Sequence, residues 1–507
     1  MAYPHMTVAR FYRFVLPLAI GTLIVFFHVW KLQDVPRGLH VDEACFGSES
    51  LSIAASGYDL RGAFMPTYFI TWWGVATGPV YIYLSALIFK VAGATVFTLR
   101  LTSALWYFLF LLGIYQLVNR LMNNDRIAAA YILIAAGFLP WYFTLSRIGF
   151  DVIAQLGTVM LALLFIHHTY HNRYTSARWR DAILAGIFVG FSTYTYPSAR
   201  VLSFLLIASV AVLYRRRAML KRSILIVAAF LATLVPYGVF FLRNSEAMVL
   251  RFKGVTYLLD PTTTVLAKAH MFITNYASHF GTQFLLTDGD SNLRHATGFG
   301  GEIFFTVFLL LLAGLAWYAS SPRTEAKRYN TLLFVNMLFA PIPSAMTSEG
   351  VPHSLRSIVL GIYMLLFSVY GLKHMRSSIR SPQLRTVFVT CVFAALSIEA
   401  TLYVHDYFVR YPGASSGWFG AQGMQEAFGA AVQEKPRSII ISNDVEEYYY
   451  DFYRFATINP QNIPIERGAP VEGYGICLIG YHLPVSLLPY RDLTPPQSTV
   501  MLHCFYE

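Results

Sequence analysis

The chain has 507 residues, of which 56% are hydrophobic and 13% charged, about half the ~25% charged share of ordinary soluble domains. That composition excludes a soluble globular protein. The net charge of +11 does not mark a nucleic-acid partner, because the basic residues fall in short clusters between apolar segments and do not form one continuous face. A spanning helix needs about 20 apolar residues. Taken in chain order, the candidate spans are 14–30, 99–119, 127–144, 152–169, 182–195, 199–214, 223–242, 302–320, 330–345, 357–372 and 386–404. The first resembles a secretory leader, but its apolar run is too long and no small-residue cleavage site follows, so it reads as a retained span. Segment 79–93 is short, carries Lys90 and is edged by Gly78, Pro79 and Gly93. It reads as a helix lying at the interface.

Loop charges test that assignment. With 79–93 excluded, one side carries Arg120 and Arg126, then Arg173, Arg178 and Arg180, then the run from Arg215 to Arg222, then Arg323, Lys327 and Arg328, and finally Lys373, Arg376, Arg380 and Arg385. The short loops opposite carry the single arginines Arg147, Arg200 and Arg356. Counting 79–93 as a span would put every later basic cluster outside. The positive-inside rule therefore predicts a polytopic all-α membrane protein of about eleven transmembrane helices, N-terminus cytoplasmic and C-terminus outside. Residues 1–404 form the membrane domain, with long outer loops 31–98 and 243–301. Residues 405–507 lack an apolar run of spanning length and gain Asp444, Glu446, Glu447, Pro460, Pro464 and Pro470. Ser438-Ile439-Ile440-Ile441-Ser442 and Ile476-Cys477-Leu478-Ile479 read as buried strands, so a small extracytoplasmic α/β domain is expected there.

The unusual polar residues collect on the outer face: Asp42, Glu43, Asp59 and Arg61 in the first loop, Arg147 and Asp151 in the second, Tyr194, Tyr196 and Arg200 at the next turn, then Arg294, His295, His353 and Arg356. Each has a local alternative. Asp42 and Glu43 suit the first turn of a helix, and Arg147 and Asp151, four apart, suit a helical ion pair. Arg200 suits snorkelling to headgroups, His353 a solvated loop, and Asp59 a turn beside Gly57. Their gathering on one face points to a shared site. Outer arginines suit a phosphate in charge-assisted bonds, and carboxylates beside them suit general-base activation of a hydroxyl. Group transfer from a lipid phosphate to an acceptor outside the membrane uses both.

Several blocks in fixed order resemble the GT-C superfamily of membrane glycosyltransferases, over roughly residues 31–373. The nearest part is the bacterial branch related to protein O-mannosyltransferases and the lipid A aminoarabinose transferase. The blocks are His40-Val41-Asp42-Glu43-Ala44 with Gly57 and Asp59, Phe97-Thr98-Leu99-Arg100-Leu101, and Ser146-Arg147-Ile148-Gly149-Phe150-Asp151. They continue with Tyr194-Thr195-Tyr196 through Arg200, Asn292-Leu293-Arg294-His295, and Pro343-Ser344-Ala345 through His353 and Arg356. The resemblance implies an inverting transferase in the cytoplasmic (inner) membrane. Its donor is a polyprenyl-phosphate sugar, and its acceptor a protein hydroxyl, a lipid or a cell-envelope glycan on the outer face. It makes Asp42 the catalytic base, and it has Glu43 and Asp151 shape the site or, in some members, join Asp42 in binding a divalent metal. It assigns Arg147, Tyr196, Arg200, Arg294, His295, His353 and Arg356 to the phosphate or the sugar. One departure is clear. Relatives often carry Lys-Pro-Pro before the interfacial helix, where this chain has Thr77-Gly78-Pro79, so that cation is missing.

Two other function classes compete. A transporter or flippase of lipid-linked sugars would place charges at mid-membrane and break helices in paired halves. A non-catalytic assembly protein would use the tail as its binding module and would not need Asp42. Of the four cysteines, Cys45, Cys391, Cys477 and Cys504, no pair has metal spacing. Cys477 and Cys504 share the outer tail and are either a disulfide or two buried thiols.

Overall fold

The computed structural model describes residues 8–71, 74–171, 175–322, 325–419, 424–435, 437–442, 465–468, 476–480 and 501–505. The chain is mostly helical. Among the described residues, Val96–Leu121, Ile153–His171, Arg217–Arg243 and Pro382–Val409 are long and apolar enough to cross a membrane, and five shorter apolar helices accompany them. Only 11% of the most apolar window of Arg217–Arg243 is buried. Apolar side chains left outside a packed bundle need lipid, not water, around them. The chain is a membrane protein.

The expected segments are helical, with informative breaks. Residues 127–144 divide into Arg126–Gly137 and Pro140–Leu145, because Pro140 lacks the amide that a continuous helix would require. Residues 223–242 are interrupted at Leu234, between Arg217–Thr233 and Val235–Arg243, where Pro236 in the next turn lacks an amide. Segment 79–93 is the helix Pro79–Ala92, opened by Pro79 at its first position and closed by Gly93 at φ +82°. The loop 243–301 is richer than expected. It holds the helices Ser245–Val255 and Val265–Ser278 and a π-turn at Gln283–Thr287.

The first loop is tied by a helix and a hairpin. Val41–Ser56 is capped by His40, with Glu43 returning to the His40 amide, and ends at Gly57 in the left-handed region. β1 (Phe69–Ile70) pairs antiparallel with β2 (Ala76–Thr77). In the tail both predicted strands form. β3 (Ser438–Ser442) lies parallel to β4 (Ile465–Gly468) and to β5 (Ile476–Gly480), and β6 (Met501–Phe505) closes the sheet antiparallel to β5. Helix Met424–Gln433 packs on it, burying Phe428 and Ala431. Cys477 and Cys504 lie opposite each other across β5 and β6 and form a disulfide. The acidic and proline residues from Asp444 to Pro464, and Pro470, lie outside the described residues.

Candidate active site

A cavity of about 370 Å³ opens between the helix Val41–Ser56 and the segments 290–295 and 349–356. Asp42, Asp151, Tyr196, Arg294, His295, His353 and Arg356 all line it, although they come from five separate stretches of sequence. Four residues that sequence reasoning did not select join them: His40, Arg251, Asp290 and Glu349.

Asp42 stands in the first turn of Val41–Ser56, where the helix amides favour a negative charge. Its side chain is 48% exposed. Its amide donates to His40 Nδ1 at 3.2 Å, and its carboxylate lies 3.5 Å from the same nitrogen. His40 also contacts the Arg294 guanidinium through Nε2. Burial pushes His40 down to about 4, the Asp42 charge opposes that, and Arg294 reinforces it. The ring is therefore neutral near pH 7. Asp151 is buried, and that burial, with the Asp42 charge beside it, lifts its carboxyl well above the usual range. Asp42 is thus half exposed, while the buried Asp151 is favoured as the neutral acid.

Glu43 does something different. Its Oε1 accepts from Arg100 Nε at 2.8 Å and from the Gly149 amide at 2.8 Å. Its Oε2 accepts from the His40 amide at 3.0 Å and from Arg100 at 3.1 Å. Burial alone would raise its pKa, but the Arg100 charge and these four bonds hold it below the usual value. Both oxygens are committed, and Glu43 does not line the cavity. Among the described residues Asp42, Glu43 and Asp151 do not converge as a metal-binding group, and both Glu43 oxygens are held by Arg100 and backbone amides.

Two arginines expected at the phosphate are also elsewhere. Arg147 does not pair with Asp151. It is fully buried, donates to the carbonyls of Phe27 at 2.5 Å and Trp30 at 2.9 Å, and lies over the rings of Phe408 and Tyr407. Arg200 donates to Met248 O at 3.0 Å and Ala76 O at 3.2 Å and stacks over Tyr68, bracing the hairpin against the helix that follows residue 244. Neither side chain lines the cavity; nearby carbonyls take up the terminal guanidinium nitrogens of each.

Arg100 is the structural residue that charge patterning could have flagged, as a lone ionisable group inside an apolar span. Besides Glu43 it binds the carbonyls of Leu32 at 3.1 Å, Pro36 at 2.9 Å and Gly38 at 2.6 Å. Gly38 has φ +82°, and a Cβ there would stand 2.6 Å from Phe419 O. Arg100 and Arg147 together gather the carbonyls of the connector that delivers His40 and Asp42 to the cavity.

The far wall is built on Asp290. Its carboxylate accepts from His295 Nδ1 at 2.9 Å, from the Ser354 amide at 2.9 Å and from the Asn292 amide at 2.9 Å. Arg356 donates to Thr347 Oγ1 and to the Glu349 carbonyl, each at 2.8 Å. The Glu349 carboxylate bridges Arg356 at 3.3 Å and Arg251 at 3.2 Å. Asp290 sits in the run Asp288-Gly289-Asp290-Ser291-Asn292, which reads as a turn, so its sequence carries no signal of this role.

Residues 76–242 match the family model described as dolichyl-phosphate-mannose-protein mannosyltransferase. No curated protein matches the sequence significantly. Among solved structures, the apo form of ArnT from Cupriavidus metallidurans aligns with a TM-score of 0.57 and 13% identity over 92% of both chains. The same protein bound to undecaprenyl phosphate aligns at 0.56 and 14%, again over 92% of both. The oligosaccharyltransferase AglB from Archaeoglobus fulgidus, in complex with an inhibitory peptide and a dolichol phosphate, aligns at 0.53 and 12%, over 90% of this chain and 64% of that one. The chain shares the fold of ArnT and AglB, and its residues 76–242 match the dolichyl-phosphate-mannose-protein mannosyltransferase model.

Proposed function

We propose that this protein transfers a sugar from a polyprenyl-phosphate donor to a hydroxyl acceptor on the outer face of the cytoplasmic membrane, inverting the anomeric centre. The observation that carries the reading is one cavity holding a half-exposed carboxylate, Asp42, together with three guanidiniums, Arg251, Arg294 and Arg356. The match with ArnT bound to undecaprenyl phosphate supports a lipid-phosphate ligand for the same fold. In this scheme the arginines hold the donor phosphate. Asp42 takes the proton of the acceptor hydroxyl as its oxygen attacks the anomeric carbon. The bond from that carbon to the phosphate oxygen breaks, and the phosphate leaves with the electron pair, its charge met by the arginines. Asp151, favoured as the neutral acid, donates a hydrogen bond to the sugar. Tyr196, His295 and His353 shape the sugar-side wall.

The same reading sets the topology. We infer eleven spans, with the N-terminus in the cytoplasm, residues 1–404 as the catalytic membrane unit and 405–507 as a soluble unit outside. The membrane lipids, the lipid-linked donor and an acceptor are its partners. Incubation of the purified protein with lipid-linked sugars and an acceptor extract should release free polyprenyl phosphate. No release above a heat-treated control, from any donor of this class, would refute the proposal.

The arginines separate by role. Hydrogen bonds to charged groups are worth about 1.5–3 kcal/mol, so Arg251→Ala, Arg294→Ala or Arg356→Ala should each weaken apparent donor affinity by about tenfold or more. Lysine should rescue only partly, because it lacks the planar fork. Arg147→Ala and Arg200→Ala should instead lower the thermal midpoint. Unchanged donor titrations in all three cavity variants would show that the phosphate binds elsewhere.

A further inference from the structure

The helix Pro382–Val409 runs on into the short helix Tyr411–Ala414 and the turn Ser416–Trp418, which form the root of the C-terminal unit. That root is fastened to the loop that carries Arg294. The Tyr411 hydroxyl donates to the Leu293 carbonyl at 2.6 Å, and Arg410 Nη2 donates to the Thr297 carbonyl at 2.8 Å. The turn also holds itself. Ser415 Oγ donates to the Tyr411 carbonyl at 2.8 Å, and the Trp418 amide donates to the Ser415 carbonyl at 2.8 Å. Together these contacts set the centroid of the Trp418 ring 5.7 Å from the central carbon of the Arg294 guanidinium.

Arg294 has unused capacity. Its Nε donates to Asn292 Oδ1 at 3.0 Å and its Nη1 donates to His40 Nε2. Both partners are neutral, since His40 is held far below its ordinary pKa by burial. Among the described residues Nη2 has no hydrogen-bond partner and no carboxylate forms an ion pair with the guanidinium. The charge therefore faces the cavity that Arg294 lines. Trp418 is large and apolar, yet 41% of it is exposed. A Cβ built on the preceding Gly417 would meet nothing within 4 Å, so the space beside the turn is open. Tryptophan also collects at membrane interfaces, but this ring packs on a guanidinium that lines the cavity. Covering its exposed part with a ligand would remove apolar area from water.

We propose that Trp418 is the platform on which the sugar ring of the donor stacks, so that the C-terminal unit completes the active site. This rests on the reading of Arg294 as a residue that holds the donor phosphate. In a polyprenyl-phosphate sugar a single oxygen joins phosphorus to the anomeric carbon. A phosphate on Arg294 Nη2 therefore brings the sugar within reach of the ring that lies against that guanidinium. A sugar ring has an apolar face of C–H groups, whose slight positive charge suits the negative face of an indole. Arg294 engages the indole by its charge, and the exposed part of the ring is left for the sugar.

Binding tests this without turnover. The detergent-solubilised full chain is titrated with undecaprenyl phosphate and with the same lipid carrying mannose, glucose or arabinose. The wild type should bind at least one glycosylated lipid about tenfold more tightly than the bare one, the range of a good aromatic contact. Trp418→Ala should lose that gain, bind the bare lipid as the wild type does and keep its melting midpoint. Trp418→Phe should retain most of the gain. Arg294→Ala should weaken both kinds of lipid. A wild type with no gain from any of the sugars would overturn the platform, as would a folded Trp418→Ala protein that keeps the gain. Equal weakening of bare and glycosylated lipid by Trp418→Ala would also overturn it, making the ring a prop for Arg294 or a membrane anchor. Bare-lipid affinity unchanged in Arg294→Ala would instead remove Arg294 from the phosphate site, and the platform argument with it.

Discussion

Replacing Asp42 with asparagine should cut sugar transfer by about 10²–10⁴-fold, the usual loss on removing a positioned base, and leave the fold intact. The side chain is 48% exposed and lies 3.5 Å from the neutral His40, and among the described residues no arginine is paired to it. Its folding role is therefore small. Asparagine keeps the shape and the hydrogen-bonding reach but cannot accept the hydroxyl proton. Donor affinity should change little, because the cations that hold the phosphate in the proposed scheme lie on other segments. The expected signature is a fall in kcat with a nearly constant apparent KM for the donor and an unchanged melting midpoint. Turnover at the wild-type rate would remove Asp42 from the mechanism, and a large loss of thermal stability would show that its role is structural.

The sequence revealed the convergence of polar residues but not which of them would be consumed by the backbone. Asp42, Asp151, Arg294, His295, His353 and Arg356 do meet in one cavity: Asp151, His353 and Arg356 come from beside the ends of apolar segments, and Asp42, Arg294 and His295 from the two long loops 31–98 and 243–301. Glu43, Arg147 and Arg200 looked equivalent by position, yet each is turned away. The reason is local and three-dimensional. Glu43 meets a buried guanidinium from the helix Val96–Leu121, Arg147 meets the free carbonyls after the helix Val8–Val29, and Arg200 meets the carbonyl of Ala76. A periodicity argument counts charges at span ends and cannot count unsatisfied carbonyls. Asp290 and Glu349 were missed for the converse reason: acidic residues in Gly-containing turns look solvated, yet Asp290 is buried against His295 and Ser354 and Glu349, 57% exposed, bridges Arg251 and Arg356. The tail strands were legible because Ile439-Ile440-Ile441 is a short apolar run with no helical period, and their pairing then placed Cys477 opposite Cys504.

The Arg100–Glu43 pair should be the most destabilising place in the outer region to cut. Both side chains are fully buried, and removing one partner of a buried pair leaves the other charge without compensation, at a cost of about 3–5 kcal/mol. Arg100→Met should cost more than Glu43→Gln. It also frees the carbonyls of Leu32, Pro36 and Gly38, whereas the single amide oxygen of glutamine still accepts from one of the His40 and Gly149 amides. Each single variant should melt several degrees below the wild type, and the Glu43→Gln/Arg100→Met double variant should recover part of the loss, since neither charge is then stranded. Activity should fall even in molecules that stay folded, because the connector released by Arg100 is the one that sets His40 and Asp42 at the cavity. That fall should appear in kcat more than in donor affinity, as for a base held slightly out of place. Single variants that melt and turn over like the wild type would show that the connector is held by other contacts and that Arg100 does not position Asp42.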